Sequence, residues 1–186
     1  MPSIFYFGIN MKYLVTILAL MAVFFTGIVQ ASEKIPYASQ INFVQNYNRI
    51  TPYIAISGLI GADGAAELAV FNFKTIIDMR PGKEDADEEM TYVKAAGMVY
   101  INIPLTIEGI SEEQLADFTK QFESAEKPIL IHSNSGNRAG AMWATYQISK
   151  GVDPEKAIAQ GRKVGMRPAY EEKIRAAMLG QSTEAP

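Results

Sequence analysis

The sequence predicts an α/β fold: one three-layer domain in which helices flank a mostly parallel sheet of about four or five strands. Two observations support this class. Short apolar runs of strand length, such as residues 75–79 and 129–131, alternate with longer runs that have apolar residues at helical spacing. Helix caps and glycines separate these runs. Strands that alternate with helices are typical of crossover connections, which place consecutive strands in parallel.

The strands are predicted from their apolar content and from the turns that bound them. The first, at residues 49–58, has Pro52 near its start, where proline is tolerated. The second, at residues 75–79, ends at the turn Arg80-Pro81-Gly82. In parallel sheets, ligands bind beyond the carboxyl ends of the strands, so we expect the functional site there. The remaining strands are predicted at residues 99–104 and 129–131.

The helices are predicted from periodicity and from capping residues. Ser111 is a favoured N-cap, with Glu113 or Gln114 near enough to support it. Asp153 followed by Pro154 is typical of another helix start. The predicted helices span residues 59–73, 87–96, 112–124, 139–150, 154–163 and 168–178. In the first of them we expect the following side chains to pack inward: Ala65, Ala66, Leu68, Ala69 and Phe71.

The composition excludes several classes of function. The net charge of −3 argues against nucleic acid as a partner. With one histidine and no cysteine, the chain has no disulfide and no zinc, haem or iron–sulfur site of the usual kinds. We therefore expect no metal and no cofactor. The acidic residues Asp85, Asp87 and Glu88 are interpreted as a solvated helix start rather than as a metal site.

The N-terminal segment predicts export from the cytoplasm. An apolar run at residues 13–29 follows Lys12, and Val29-Gln30-Ala31 fits the small-residue rule for signal-peptide cleavage. We predict a signal peptide at residues 1–31, with Met11 as the true start, and a secreted or periplasmic domain at residues 32–180. The alternative is an uncleaved segment that anchors the protein to the membrane. Residues 181–186 are predicted to be a disordered tail.

The stretch PILIHSNSGNRAGAMW, residues 128–143, joins the last predicted strand to a helix through a small polar loop. Such a loop points several backbone N–H groups into one concavity, and the helix N-terminus adds a partial positive charge there. Arg138 adds a full charge and a planar fork that matches phosphate oxygens. The residues therefore predict an oxyanion site. The alternative is that Arg138 pairs within the fold and the loop is only a turn.

The same residues resemble the signature His-Cys-x-x-Gly-x-Arg of the cysteine-dependent phosphatases. The short spacing and the following Ala-Gly are similar to the bacterial dual-specificity branch, which includes the phosphatase-like domains of beta-lactamase-hydrolase-like and NAD-kinase-fused proteins. The resemblance implies a protein tyrosine phosphatase-like fold without a metal. It also implies a nucleophile position at Ser133, loop support by His132, and phosphoryl binding by Asn134, Ser135, Gly136, Asn137 and Arg138. Rhodaneses use a loop of the same length, so an inactive sulfurtransferase relative is a further alternative.

Serine at position 133 departs from the family pattern and weakens the expected chemistry. A free thiol titrates near ~8.5, whereas an alcohol titrates several units higher. Even five units amount to roughly 7 kcal/mol, or about five orders of magnitude in rate if the cost falls wholly on the barrier. The family also uses an acid, commonly Asp, from the loop that follows Pro104. That loop contains no Asp here, and Glu108 is the candidate substitute.

These features predict a secreted phosphatase-like domain that binds phosphate monoesters or a phosphoprotein and turns them over poorly. One alternative is an active phosphatase that uses Ser133 or water, and another is a non-catalytic protein-interaction module. A dyad of His132 and Ser133 is disfavoured, because neighbours on a strand point to opposite faces and no G-x-S-x-G elbow is present. Arg80 is expected either at the pocket rim or in a surface or turn-stabilising pair with Asp78. The oligomeric state is left open.

Overall fold

The computed structural model describes residues 41–82, 84–106 and 108–183, and these form a five-stranded sheet flanked by helices. The strands are β1 (Asn48–Thr51), β2 (Ile54–Ser57), β3 (Thr75–Asp78), β4 (Val99–Asn102) and β5 (Ile129–His132). They lie in the order β1-β2-β5-β3-β4. Among these strands β1 and β2 pair antiparallel, and β2, β5, β3 and β4 are parallel neighbours. The predicted α/β class with a mostly parallel sheet is therefore confirmed.

The sheet is the middle of three layers because alternate residues of each strand point to opposite faces. The helices are α1 (Ala62–Val70), α2 (Ala86–Ala95), α3 (Glu112–Ser124), α4 (Asn137–Ser149), α5 (Pro154–Lys163) and α6 (Pro168–Thr183). On one face of the sheet, Ile77 and Ile131 pack with α3 and α4. On the other face, Ile76 and Leu130 pack with α1 and α2.

Local capping fixes two of the helix starts where the sequence predicted them. Ser111 Oγ accepts from the Gln114 backbone N–H at 3.1 Å, while Gln114 Oε1 accepts from the Ser111 N–H at 3.0 Å, which completes a capping box. Asp153 Oδ1 accepts from the Lys156 N–H at 3.0 Å. Both α3 and α5 have the predicted bounds.

The single strand predicted at residues 49–58 is wrong, because the structure has the β1–β2 hairpin there. Pro52 cannot donate to a ladder, and it lies in the turn between the two strands. The following helix starts at Ala62 rather than at residue 59. Residues 59 and 60 remain outside it because Leu59 N–H donates to Asn134 O and Ile60 bridges to Val44. Ala66, predicted to pack inward, is exposed.

The C-terminal helix α6 continues to Thr183, beyond the predicted end at residue 178. The predicted signal peptide at residues 1–31, with its start at Met11, lies outside the described residues, and so do residues 184–186 of the predicted tail. Within the part of the chain that the structure describes, every helix is too short or too polar to cross a bilayer.

Candidate functional site

The loop of residues 133–138, here called the anion loop, joins the central strand β5 to α4. The backbone N–H groups of residues 134–138 donate to no acceptor among the described residues. The carbonyl oxygens of residues 134 and 135, by contrast, accept hydrogen bonds from residues outside the loop. Asn134 O accepts from Leu59 N–H at 3.2 Å, and Ser135 O accepts from the Asn46 side-chain amide at 3.3 Å. Five consecutive N–H donors without an acceptor in the described structure, with neighbouring carbonyls that are hydrogen-bonded, form an arrangement that can bind a tetrahedral anion.

A connector between α5 and α6 braces the anion loop from behind. Gly136 has a φ of 82°, and a Cβ there would lie 2.3 Å from Val164 O. A Cβ on Gly165 would lie 2.6 Å from Ser135 O. Asn137 Oδ1 also accepts from the Arg167 backbone N–H at 2.8 Å. Two backbones therefore meet at a distance that only glycine permits at Gly136 and Gly165.

Glu84 holds the arginine of the anion loop. Arg138 Nη1 donates to Glu84 Oε1 at 3.0 Å, and Nη2 donates to Oε2 at 2.6 Å. The Asn134 side-chain amide donates to the same Oε2 at 2.7 Å. The hydrogen bonds from Arg138 hold the pKa of Glu84 below its ordinary value. Arg138 Nε has no partner among the residues described, so one donor of the guanidinium is available to an anion.

Ser133 is the first residue of the anion loop, and none of the described residues places a basic group against its hydroxyl. The residue is 1% exposed, and its Oγ accepts from the Ala139 N–H at 3.5 Å. His132 points elsewhere, with Nε2 lying 2.6 Å from Glu89 Oε1. This geometry agrees with the expectation that the two neighbours do not form a dyad. Nothing in the described part of the chain activates the Ser133 hydroxyl.

Asp78, Arg80, Glu89 and His132 form a buried ion cluster beneath the anion loop. Arg80 Nη2 lies 2.8 Å from Asp78 Oδ2 and 2.7 Å from Glu89 Oε2. Arg80 is 2% exposed, so a position at the pocket rim or on the surface is wrong, whereas the expected turn-stabilising pair with Asp78 is present: the Arg80 backbone N–H donates to Asp78 Oδ1 at 2.8 Å. Arg80 is buried because the buried carboxylates of Asp78 and Glu89 require a partner of opposite charge. Parallel pairing sets Asp78 directly beside His132.

Opposing effects set the ionisation of Asp78. Burial alone would raise its pKa, but charge on His132 and hydrogen bonds from Arg80 and Tyr100 outweigh burial and lower it. Tyr100 O–H donates to Asp78 Oδ2 at 2.6 Å. Burial, together with this hydrogen bond, raises the pKa of Tyr100. The phenol therefore stays a neutral donor to an ionised carboxylate.

The buried ion cluster also has the residue types of a metal site. Asp78, Glu89 and His132 each offer one ligand atom, and these atoms lie within 4.8 Å of one another. The Arg80 guanidinium already contacts an oxygen of each carboxylate. A divalent cation would have to share both carboxylates with that buried positive charge, so the residues do not fit a metal. The acids Asp85, Asp87 and Glu88 are exposed at the start of α2, as a solvated helix start requires.

Glu108, the candidate acid, is exposed in the loop before α3. It lines a cavity of about 690 Å³ between that loop and α6, together with Tyr170 and Lys173. Among the described residues, it makes no hydrogen bond or ion pair to the anion loop. Its role as an acid therefore stays a prediction.

Two residues of this region, Glu84 and Glu89, were missed from the sequence. Both lie in the acid-rich stretch that was interpreted as a solvated helix start. Glu89 falls on the apolar face of α2, three residues after Ala86 and four before Val93, and all three are buried. The position of Glu89 on the apolar face of α2 was the feature of the sequence that indicated its burial. No comparable pattern marks Glu84.

Sequence comparisons agree with this geometry. Residues 46–150, more than half of the chain, match the family described as the phosphatase-like domain of beta-lactamase hydrolase-like protein. A beta-lactamase hydrolase-like protein of Xylella fastidiosa is 28% identical over 107 residues, which are 55% of this chain and 25% of that protein. The chain thus spans about a quarter of the length of this curated relative.

Solved structures share the fold. A candidate phosphatase from Neisseria meningitidis superposes with a TM-score of 0.61 at 21% identity, over 73% of this chain and 97% of that one. P. aeruginosa TpbA, in a form with a cysteine replaced by serine and in complex with phosphotyrosine, gives a TM-score of 0.57 at 25% identity, over 72% and 90%. The chain belongs to the beta-lactamase hydrolase-like family of phosphatase-like domains and has the fold of the protein tyrosine phosphatase-like proteins.

Proposed function

We propose that this domain binds phosphate monoesters, free or on a phosphoprotein, in the anion loop and that Ser133 leaves turnover weak or absent. The observation that carries the proposal is the run of five backbone N–H groups at residues 134–138 that have no acceptor in the described part of the chain. A phosphoryl group offers several acceptor oxygens, which such a run of donors can bind. Arg138 adds guanidinium N–H donors, while its charge is paired with the Glu84 carboxylate at 2.6 and 3.0 Å.

The expected loss of turnover follows from the alcohol at position 133. Ser133 has no contacting base in the described structure, and an adjacent base is one way of activating a nucleophile. The same serine adds no negative charge to the pocket, so it does not oppose anion binding. The serine form of TpbA that carries phosphotyrosine supports the view that such a pocket keeps its ligand without the thiol.

Calorimetric titration with orthophosphate tests the binding half of the proposal. The full chain is expected to bind, and Arg138→Ala is expected to bind roughly tenfold to a hundredfold more weakly, because a charged hydrogen-bond donor is lost. Arg175→Ala is the control, since Arg175 forms ion pairs with Glu155 and Glu171 on the exposed surface. No binding by the full chain, or equal binding by Arg138→Ala, would defeat the proposal.

Assay of an aryl phosphate tests the catalytic half. The full chain and Ser133→Ala are expected to share the same negligible rate. Ser133→Cys is expected to gain activity, because a thiolate forms far more readily than an alkoxide. A rate in the full chain that disappears in Ser133→Ala would instead establish an active serine-dependent phosphatase.

We also propose that the domain works outside the cytoplasm. The support is the sequence of residues 1–31, with its apolar run and the small residue at Ala31. Mass spectrometry of protein recovered from the periplasm is expected to show an N-terminus at Ser32. An N-terminus at Met1 or Met11 would contradict cleavage.

A further inference from the structure

The buried ion cluster contacts both parts of the anion site. On one side, His132 directly precedes Ser133, the first residue of the anion loop. On the other side, Arg80 Nη1 donates to the backbone carbonyl of Glu84 at 3.1 Å. Glu84 in turn holds Arg138. One group of buried charges therefore borders the loop that supplies the amides and the residue that orients the arginine.

Glu89 occupies the bridging position in this cluster. Its Oε1 lies 2.6 Å from His132 Nε2, and its Oε2 lies 2.7 Å from Arg80 Nη2. The carboxylate is fully buried. Asp78 also contacts Arg80 at 2.8 Å, but it is 3.5 Å from the imidazole. Glu89 is thus the close partner of both groups, and it joins α2 to the ends of β3 and β5.

The contacts of Glu89 depend on charge more than on direction. Neither oxygen of Glu89 and neither ring nitrogen of His132 has a well-aligned hydrogen bond within the described structure. The short distance to Arg80 is therefore a close ion-pair contact with bent geometry, and the contact with His132 is an ion pair only when the imidazole is protonated. A buried charge is stable only when it is paired. A neutral side chain of the same shape would keep the packing and lose most of the interaction.

We propose that Glu89 is a positioning residue for the anion site. Through His132 it fixes the start of the anion loop, and through Arg80 it fixes the backbone of Glu84, so that Arg138 is held beside the loop amides. This role rests on the proposed function, because the groups it positions are those that bind phosphate. It assigns a function to a carboxylate that touches neither the loop amides nor Arg138 in the described structure.

Glu89→Gln in the full chain tests this role, with Glu88→Gln as the matched control. Glu88 precedes Glu89 on α2 and is exposed, so the two variants make the same change in charge. Orthophosphate affinity is expected to fall about fivefold to tenfold in Glu89→Gln and to stay unchanged in Glu88→Gln. The backbone amide resonances of residues 134–138 and the Arg138 Nε–H resonance should move only in Glu89→Gln. Glu89→Asp, which restores the charge, should recover part of the affinity.

A folded Glu89→Gln protein with unchanged affinity and unchanged resonances would overturn the role. If this variant does not fold, Arg80→Lys replaces it, because lysine keeps the charge and loses the bond from Nη1 to Glu84 O. Unchanged affinity and resonances in Arg80→Lys would then overturn it. If the unaltered chain binds no orthophosphate, the proposed function fails, while the resonances of residues 134–138 and of Arg138 still decide whether Glu89 positions them.

Discussion

The anion loop and the buried ion cluster lie on consecutive stretches of chain, yet they treat charge in opposite ways. The anion loop has donors in excess, since the N–H groups of residues 134–138 have no acceptor among the described residues. In the buried ion cluster, each charge has a partner of opposite sign, with Arg80 between Asp78 and Glu89. N–H groups that lack an acceptor favour the binding of a ligand that offers acceptor oxygens. Charges that are paired with one another favour a single rigid arrangement of their side chains. This difference assigns ligand binding to the anion loop and the positioning of the binding groups to the buried ion cluster.

The largest effect is expected from Gly136→Ala, which disrupts the anion loop and leaves the residues of the buried ion cluster unchanged. In Gly136→Ala, the new methyl group would lie 2.3 Å from Val164 O at a backbone φ of 82°. A backbone oxygen cannot rotate away, so we expect the free energy of unfolding to fall by roughly 2–4 kcal/mol and orthophosphate binding to be lost. Urea unfolding and calorimetric titration measure the two effects.

Gly151→Ala separates steric crowding from backbone strain. Gly151 has the same φ of 82°, but a Cβ there would meet nothing within 4 Å. We expect a cost of roughly 1–2 kcal/mol from the left-handed backbone alone, with binding unchanged. Equal costs at the two glycines would mean that the connector at Val164 and Gly165 does not brace the anion loop.

The same two regions differ in how far the sequence predicts them. The anion loop was found because its features are local: a strand, small polar residues, Gly136 and Arg138 in one run. The caps at Ser111 and Asp153 were found for the same reason. The apolar-face position of Glu89 on α2 was a local indication of burial that was missed, but its partners Arg80 and His132 could not be predicted, because they depend on the non-local pairing that sets β3 beside β5.

The role of Glu84 could not be predicted from the sequence either, because it depends on another non-local contact. It is separated from Arg138 by 54 residues, and the contact exists only because the ends of β3 and β5 meet at one edge of the sheet. The sequence did predict that edge as the site. It could not identify which acid there faces the arginine, since several acids follow β3 and most of them are solvated.

A middle-sized effect is expected from Tyr100→Phe, which changes the cluster and leaves the anion loop intact. The variant removes the hydrogen bond to Asp78 Oδ2 and leaves a buried carboxylate oxygen with one partner fewer. We expect a loss of about 1.5–2 kcal/mol in the free energy of unfolding. Orthophosphate affinity should change less than twofold, because the contacts of Arg80 and Glu89 remain.

Tyr146→Phe is the matched control for that variant. Its hydroxyl contacts the Glu123 carboxylate at 3.2 Å, but the contact is exposed. We expect a cost below about 0.5 kcal/mol by urea unfolding. If Tyr100→Phe costs no more than Tyr146→Phe, the buried cluster does not contribute to stability through Asp78 in the way described.

The smallest expected effect is the pH dependence of the ion pair between Glu84 and Arg138. The pKa of Glu84 in the folded protein lies below its ordinary value of 4.5, chiefly because Arg138 donates to it. A carboxylate whose pKa is lowered by folding stabilises the fold above its unfolded pKa, and this contribution is lost as the pH falls through the folded pKa. The unaltered chain should therefore exceed Glu84→Gln in stability at neutral pH by up to about 1 kcal/mol, since the pair is partly exposed.

Urea unfolding of both proteins at a series of pH values checks this sign. The difference between them should be constant above the ordinary pKa of Glu84 and should shrink as the solution is acidified below it. The buried ion cluster is the same in both proteins, so its contribution to the pH dependence cancels in the difference unless it couples to Glu84. A difference that stays constant into acid would show that the carboxylate charge is not what holds Arg138. The amide oxygen of glutamine would then orient the arginine equally well, and the anion loop would depend on the position of the side chain at residue 84 rather than on its charge.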